Sequence, residues 1–269
     1  MRNFRLVLAY DGSEFHGWQV QPGVATIQGT LADALARITG ERVLPQGSGR
    51  TDAGVHALAQ VASVALASPI PATNLHGALN DVLPPSIRLL EVAEVAPDFH
   101  ARYSARSKTY RYRIYRGAIC PPFLARYVYH HPYPLDEAAM AAAAFLLEGT
   151  HDFTSFAAVD PERVARPASR AEAGDLARDS VARPEEEETD NRRTIFSSRW
   201  ERQGEEFVYT VRGSGFLHHM VRNLVGTFLL IGKGSLDQPG LRRILELKQR
   251  SAAGSTAPAS GLYLVSVEY

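Results

Sequence analysis

Short extended segments alternate with amphipathic helical segments along this chain of 269 residues, and the alternation occurs twice. The first helical segment places Ile27, Leu31, Leu35 and Ile38 on one face, and Gly40 then stops it. Because such a chain has to cover sheet faces with helices, it predicts an α+β fold. The expected strands are 4–10, 61–66, 87–95, 110–115, 194–200, 207–211 and 261–267, and the expected helices are 26–39, 74–82, 135–147, 216–230 and 238–248.

One of these strands has two chemically different faces. Residues 110–115 read Tyr-Arg-Tyr-Arg-Ile-Tyr, so aromatic and basic side chains alternate with a period of two. Successive side chains of a strand point to opposite sides of the sheet. The segment therefore predicts a half-buried strand with an aromatic face and a cationic face.

The repeated alternation also predicts a division of the chain into two similar mixed α/β lobes with a cleft between them. The expected boundaries are residues 1–133 and residues 134–269. An acidic insert at about 161–193 contains three prolines, four consecutive glutamates and few large apolar residues, which predicts a mobile, solvated loop. Residues 251–260 are small and polar and predict a second flexible loop.

Composition excludes several classes of protein. The 45% hydrophobic and 22% charged fractions are those of an ordinary globular chain. We find no apolar run near the roughly 20 residues that a membrane helix needs. Cys120 is the single cysteine, so an intrachain disulfide is impossible and a cysteine-based zinc site is disfavoured. These features favour the cytoplasm as the compartment.

The net charge is zero, but the charges are unevenly distributed. Residues 1–133 and 196–269 each carry a small excess of basic side chains, whereas residues 134–195 carry twice as many acidic as basic ones. Basic residues on one face can bind phosphates whatever the total charge is. A nucleic-acid partner therefore stays compatible with the sequence.

The segment Gly49-Arg50-Thr51-Asp52-Ala53-Gly54-Val55-His56 is unusual for a loop. Its glycines allow the backbone to bend sharply and to approach a ligand closely. A positive charge near Asp52, such as that of Arg50, favours the ionised carboxylate. From the residues alone, Asp52 is a nucleophile, a base, half of an ion pair, or a turn residue that caps its own backbone.

This loop closely resembles the signature loop of the TruA-type tRNA pseudouridine synthases. Other blocks resemble the same family in the same order, over nearly the whole chain apart from residues 161–193. They are Tyr10–Ser13 with Gly17–Gln19, Asp98–Arg102, Lys108–Tyr112, Asp152–Phe156, Phe216–Gly226 and Gly261–Leu264.

The resemblance implies the pseudouridine synthase fold, with two antiparallel sheets joined around a central positively charged cleft. It implies isomerisation of uridine to pseudouridine in the anticodon arm of tRNA, around positions 38 to 40. It also implies a homodimer, no metal and no organic cofactor.

The resemblance assigns roles to particular residues. Asp52 matches the catalytic aspartate, and Arg222 matches a basic residue that pairs with it. Tyr110 matches a tyrosine that stacks on the target base, although burial of Tyr110 and Tyr112 together in the core is a competing interpretation. Arg50 either holds Asp52 ionised or binds a phosphate.

Further cations are expected to contact RNA phosphates. These are Arg102, Arg106, Lys108, Arg111 and Arg113, although each singly fits a solvated surface residue equally well. We expect His218 and His219 to pack or to contact RNA, and not to bind a metal, because adjacent residues of a helix point about 100° apart. His16 and His56 stay ambiguous.

Two other classes of protein compete with this interpretation. A non-catalytic RNA-binding protein would use the α/β platform and tolerate Asp52→Asn. A phosphotransferase with an aspartyl nucleophile would hold Mg²⁺ with further carboxylates, which the Asp52 loop does not offer.

Overall fold

The computed structural model describes residues 1–158 and 190–269, in which ten strands and five α-helices are formed. The strands are β1 (Arg2–Tyr10), β2 (Gln46–Gly47), β3 (His56–Leu66), β4 (Ile87–Val95), β5 (Ser107–Tyr115), β6 (Tyr129–His130), β7 (Gly149–Asp152), β8 (Arg192–Gln203), β9 (Glu206–Gly213) and β10 (Leu262–Glu268). The helices are α1 (Ile27–Thr39), α2 (Ala72–Val82), α3 (Glu137–Ala144), α4 (Met220–Gly232) and α5 (Gln238–Leu247). Of the expected acidic insert, residues 161–189 lie outside the described residues, and Arg192 already belongs to β8.

All ten strands belong to one mixed sheet. Its main order is β4-β1-β3-β10-β5-β9-β8-β7, and β2 and β6 attach to β3 and β5. β10 pairs with β3 in parallel, as β6 does with β5, whereas the other pairings are antiparallel. The expectation of antiparallel sheets therefore fails at these two pairings. The sheet contains strands from both halves of the chain and does not by itself divide the chain at residue 133. The division into two lobes therefore stays a prediction.

The first helix and strand follow their sequence pattern closely. The Thr26 hydroxyl caps α1 by accepting a hydrogen bond from the Gly29 N–H at 3.3 Å, and Gly40 ends it in the left-handed conformation with φ 76°. Phe4, Leu6, Leu8 and Tyr10 alternate along β1 and are all buried. Full burial of one leucine or phenylalanine side chain stabilises the fold by about 1.5–3 kcal/mol.

The two-faced strand has the expected form. Tyr110, Tyr112 and Ile114 are buried in β5, whereas the intervening Arg111 and Arg113 are half-buried on the opposite side of the sheet. Lys108 shares the side of Tyr110, because it lies two residues before it in the same strand.

Helix α4 begins later than its apolar pattern suggests. Phe216–His219 precede the helix, and His219 has a left-handed backbone with φ 58°. A left-handed residue cannot continue a right-handed helix, so Met220 is the first helical residue. The expectation of a helix from residue 216 is therefore wrong by one turn, and this changes where both histidines point.

The segment 250–257 packs directly on α4. A Cβ at Gly226 would lie 1.7 Å from the Ser255 carbonyl oxygen, so the two backbones can meet only because residue 226 is glycine. Asn223 accepts hydrogen bonds from Arg250 at 2.9 Å and from Thr256 at 2.7 Å. The expectation of a flexible loop at 251–260 does not fit these contacts, and the segment is fixed beside the first turns of α4.

No helix within the described ranges is long and apolar enough to cross a membrane.

Candidate active site

The loop that carries Asp52 is fixed by the first strand and the turn after it. The Thr51 hydroxyl and the buried Tyr10 hydroxyl are hydrogen-bonded at 2.8 Å, and the Trp18 N–H donates to the Thr51 carbonyl at 3.0 Å. Gly17 has φ 86°, and a Cβ there would lie 2.5 Å from the same carbonyl. Glycine at residue 17 therefore lets the two loops touch, and the position of Asp52 is set by backbone contacts.

Asp52 pairs with Arg222 across 170 residues of sequence. Arg222 Nη1 donates to Asp52 Oδ2 at 2.7 Å, and both side chains are about 15% exposed. A charge-assisted hydrogen bond of this length fixes the orientation of the carboxylate. The interpretation of Asp52 as a turn residue that caps its own backbone does not describe this contact.

Arg222 is itself held from a third segment. Its Nε donates to the Ala257 carbonyl at 2.8 Å, and the Ala257 N–H donates to the Arg222 carbonyl at 3.1 Å. The packed segment 250–257 therefore aims the guanidinium of the first turn of α4 at the Asp52 loop.

His218 and His219 also converge on Asp52. His219 Nε2 lies 3.3 Å from Oδ2, His218 Nε2 lies 3.7 Å from Oδ1, and the ring centroids are 3.9 Å apart. The expectation that adjacent helical residues diverge fails because both histidines precede α4. Burial lowers the pKa of His219. The Asp52 carboxylate opposes this shift, while His218, Arg222 and Arg250 reinforce it.

Asp52, His218 and His219 form a cluster whose ligand atoms lie within 4.8 Å of one another, a geometry that could hold a metal. Two features oppose this. Arg222 already places a positive charge on the same carboxylate. Coordination through His218 Nε2 would place the proton on Nδ1, which is buried without a hydrogen-bond partner among the described residues, whereas metal-binding histidines usually donate that proton.

Tyr110 lies beside this cluster, within the hydrophobic core. It is 7% exposed and packs edge-to-face on Phe216 with ring centroids 5.0 Å apart. Burial raises the pKa of its hydroxyl, and the neighbouring Tyr10 and the Asp52 carboxylate raise it further. The phenol therefore stays protonated near neutral pH. Tyr112 lies deeper, fully buried, and its hydroxyl donates to the Pro258 carbonyl at 2.8 Å.

The sequence of this protein is similar to those of known proteins. A sequence profile described as tRNA pseudouridine synthase matches residues 6–104 and 173–269. The tRNA pseudouridine synthase A of Solibacter usitatus is 52% identical over 269 residues, which is all of both chains. Those of Moorella thermoacetica and Lacticaseibacillus casei are 44% and 43% identical, over 98% and 100% of both chains respectively.

This chain belongs to the tRNA pseudouridine synthase family. The resemblance of the sequence blocks to this family is thereby confirmed, and with it the expectation of an isomerase and not of a binding protein or a phosphotransferase.

In this pseudouridine synthase the expected RNA-binding cations occupy three kinds of position. Arg50, Arg102 and Arg106 are exposed. Lys108 is half-buried, and its Nζ donates to the Ser48 carbonyl at 2.5 Å. Burial, together with the charges of Arg102 and Arg193, lowers the pKa of Lys108 to about 8.

The cationic face of β5 lies on the side of the sheet opposite Tyr110. Arg113 donates to both carboxylate oxygens of Glu206, at 2.7 and 2.6 Å, and contacts the Tyr263 hydroxyl. Arg111 lies on the same face as Arg113, opposite Tyr110. Arg113 is paired with Glu206, and both arginines lie on the side of the sheet away from Tyr110, so their expected role as phosphate contacts is not supported by their placement.

Sequence reasoning left the roles of His218, His219 and His56 open. His56 is 2% exposed and stacks on Tyr263, so it is a core histidine. The contact of both His218 and His219 with Asp52 depends on the left-handed backbone of His219, for which the sequence gives no direct signal. The Ala257 carbonyl was missed because backbone acceptors have no sequence signature.

Proposed function

We propose that this protein isomerises uridine to pseudouridine in the anticodon stem-loop of tRNA, around positions 38 to 40, with Asp52 as its catalytic carboxylate. The observation that carries the proposal is the short contact between Asp52 and Arg222, which orients the carboxylate beside Tyr110. The family supports the reaction and the RNA class.

The reaction breaks the bond between the sugar C1′ and N1 of the base and forms a bond from C1′ to C5. The base loses the hydrogen at C5 and gains one at N1, so no redox partner is required by the balance. An anionic Asp52 can attack the sugar or the base, or assist a glycal intermediate. In each case the carboxylate has to be oriented towards the sugar–base junction, and the hydrogen bond from Arg222 holds it in one orientation.

The target nucleotide has to leave its stack before the carboxylate can reach it. Tyr110 supplies the flat aromatic surface that a displaced base requires, and Phe216 holds that ring from its edge. Stacking of one base on such a ring contributes about 1–3 kcal/mol.

Phosphate contacts are proposed for Arg50, Arg102 and Lys108. Lys108 lies on the same side of β5 as Tyr110, two residues away, or about 7 Å along the strand. That separation is close to the spacing of neighbouring phosphates in a single strand, so the lysine can hold the backbone beside a base that stacks on Tyr110.

We also propose that the protein acts as a cytoplasmic homodimer, that it needs neither metal nor organic cofactor, and that residues 1–133 and 134–269 form two lobes around a positively charged cleft. These proposals rest on the family resemblance and on the charge distribution of the sequence.

The test is to incubate unmodified tRNA with the wild-type protein and with Asp52→Asn, and to map pseudouridine at single-nucleotide resolution. We expect modification around positions 38 to 40 with the wild type in excess EDTA, and unmodified but still bound tRNA with Asp52→Asn. Modification at other uridines would refute the anticodon location, and an active Asp52→Asn would refute the catalytic role.

A further inference from the structure

The Asp52 carboxylate is surrounded by one permanent cation, Arg222, and by two imidazoles that gain charge only on protonation. Both Nε2 atoms face the carboxylate oxygens, at 3.3 Å from His219 and 3.7 Å from His218. If both rings were protonated, three positive charges would face one carboxylate. Such a carboxylate would be strongly stabilised as an ion and would therefore be a poor nucleophile or base.

His218 presents its Nε2 to Asp52 and buries its other ring nitrogen. Among the described residues, Nδ1 is buried without a hydrogen-bond partner. A proton on Nδ1 would leave a buried N–H unsatisfied among those residues. This favours the tautomer of the neutral ring that carries its proton on Nε2, facing Asp52.

The surroundings of His219 oppose its protonation. The groups that face it are Asp52 from the loop before β3, His218 beside it, Arg222 from α4 and Arg250 from the segment after α5. Burial, His218 and the two arginines disfavour the imidazolium, and Asp52 favours it. Acidification can therefore change the charge of a side chain that lies directly against Asp52.

His219 occupies a strained backbone. Among the non-glycine residues of the described ranges, only His219, with φ 58°, and Lys248, with φ 52°, have a positive φ. A left-handed conformation is strained for any residue that has a side chain. Strain at a residue whose side chain meets the candidate catalytic carboxylate motivates a search for a role of that side chain.

We propose that His219, supported by His218, is a positioning residue that borders Asp52 as a neutral neighbour and, on taking up a proton, forms an ion pair with Oδ2 that withdraws the carboxylate from the reaction. This inference rests on the proposed role of Asp52. In the neutral state, the permanent charge of Arg222 pairs with the carboxylate and the imidazole adds none. In the protonated state, the imidazolium competes with Arg222 Nη1 for the same oxygen.

The first experiment compares the pH dependence of kcat and KM for tRNA in the wild type, His219→Asn and a control, His76→Asn. Asparagine tolerates the left-handed conformation and does not titrate. His76 lies on α2, where its Nε2 bonds to the Leu89 carbonyl. We expect kcat of the wild type and of His76→Asn to fall on acidification. In His219→Asn, the ratio of kcat at pH 8 to kcat at pH 5 should be about tenfold smaller, which corresponds to one pH unit of a single titration. KM should change little.

An unchanged ratio in His219→Asn would overturn the proposal. Thermal unfolding shows whether the variant is folded. If it is not, His219→Gly, which removes the backbone strain, replaces it in the same comparison with the same expected ratio.

The second experiment does not depend on turnover. It follows the imidazole resonances of the full-length protein with labelled histidine, and the resonance lost in His219→Asn assigns His219. We expect His219 to titrate below the ordinary value of 6.5, and to titrate lower still in Asp52→Asn, because that variant lacks the carboxylate that favours the charge. An unchanged His219 titration in Asp52→Asn would overturn the contact itself. If this shift is found but tRNA is not modified, the proposed function fails and the contact stands.

Discussion

Two aspartate–histidine contacts lie close together in this protein, and they differ in how fully their polar atoms are satisfied. In the first, His56 Nδ1 lies 3.2 Å from Asp11 Oδ1. That carboxylate also accepts from the Ser13 N–H at 2.9 Å, from the Ser13 hydroxyl at 2.6 Å and from the Tyr127 hydroxyl at 2.9 Å. The His56 ring accepts from the Gly12 N–H at 3.1 Å, and its Nε2 lies 3.1 Å from the Arg126 carbonyl.

In the second contact, fewer of the polar atoms have hydrogen-bond partners among the described residues. Asp52 accepts one short hydrogen bond within the described residues, from Arg222, and both imidazoles stand at longer range. His218 Nδ1 has no partner at all among those residues. A fully satisfied cluster stabilises a fold, whereas a carboxylate that has to form a bond to substrate needs free lone pairs. The difference indicates that Asp11 holds the two loops together, and it supports the proposed catalytic role of Asp52.

The sharpest test of this comparison replaces each aspartate by asparagine. We expect Asp52→Asn to lower kcat by at least about 10⁴-fold, as loss of an essential catalytic group does, with the free energy of unfolding little changed. Asp11→Asn should keep its activity within about tenfold and lose about 1 kcal/mol of stability, because the partners of this partly buried carboxylate lose an acceptor. Pseudouridine formation and urea unfolding of both variants distinguish the roles, and the reverse pattern would refute them.

The second test compares two arginine–carboxylate pairs. Arg222→Met should leave Asp52 without its cation and lower both stability, by about 3 kcal/mol, and kcat, by about 10²-fold or more. The matched control is Arg113→Met, which breaks the partly buried pair with Glu206. We expect the control to lose stability and keep kcat. Equal losses of kcat in both variants would mean that the effect of Arg222 is one of folding.

Much of the secondary structure could be predicted from the sequence, because the local pattern of residues decides where helices and strands form. The apolar spacing from Ile27 to Ile38 and the glycine at 40 specified α1, and the alternation of Tyr110 to Tyr115 specified β5. The pairing of Asp52 with Arg222 was expected from resemblance to the family, and the structure brings the two side chains together.

The rest depends on contacts that are distant in sequence. The place of β10 between β3 and β5 follows from strand pairing across more than 150 residues, which no local pattern encodes. The segment 251–260 has the composition of a flexible loop, but Asn223 and the close approach of Gly226 fix it. The apolar residues before Met220 imitate a helix, and the left-handed backbone of His219 overrides that pattern.

A third test uses the pH dependence of stability in the satisfied cluster. Burial lowers the pKa of His56 below its ordinary 6.5, so the unfolded chain takes up the proton at higher pH than the folded one. The stabilisation is therefore complete above pH 6.5 and is lost as pH falls below it. His131 shifts in the same direction, so a variant is needed to assign the effect.

His56→Gln supplies that variant, because glutamine can accept from the Gly12 N–H and donate to the Arg126 carbonyl without titrating. Between pH 7.5 and pH 5.5 we expect the variant to lose about 1 kcal/mol less stability than the wild type. Urea unfolding at the two pH values measures this difference. If both proteins lose stability equally, His56 is not a buried neutral histidine.

The smallest expected effect is a change in tRNA affinity that depends on Lys108. This lysine lies on β5 two residues from Tyr110, and we propose it as part of the RNA-binding surface beside Asp52, whereas no such surface is proposed beside Asp11. Because the pKa of Lys108 is lowered to about 8, the free side chain loses its charge as pH rises through that value. A bound phosphate favours the charged form, so tRNA binding takes up a proton above pH 8. Affinity of the wild type should therefore fall severalfold between pH 7 and pH 9, whereas Lys108→Arg, which stays charged, should show no such fall.

Lys108→Gln separates the charge from the rest of the site. We expect it to bind weakly at every pH and to reduce the slope of log affinity against log salt by about 1, as loss of one phosphate contact does. Arg113→Gln, on the opposite side of β5, should leave that slope unchanged. If Lys108→Gln binds with the wild-type slope, RNA does not reach this part of β5, and the functional difference between the two clusters is confined to Asp52 and the side chains around it.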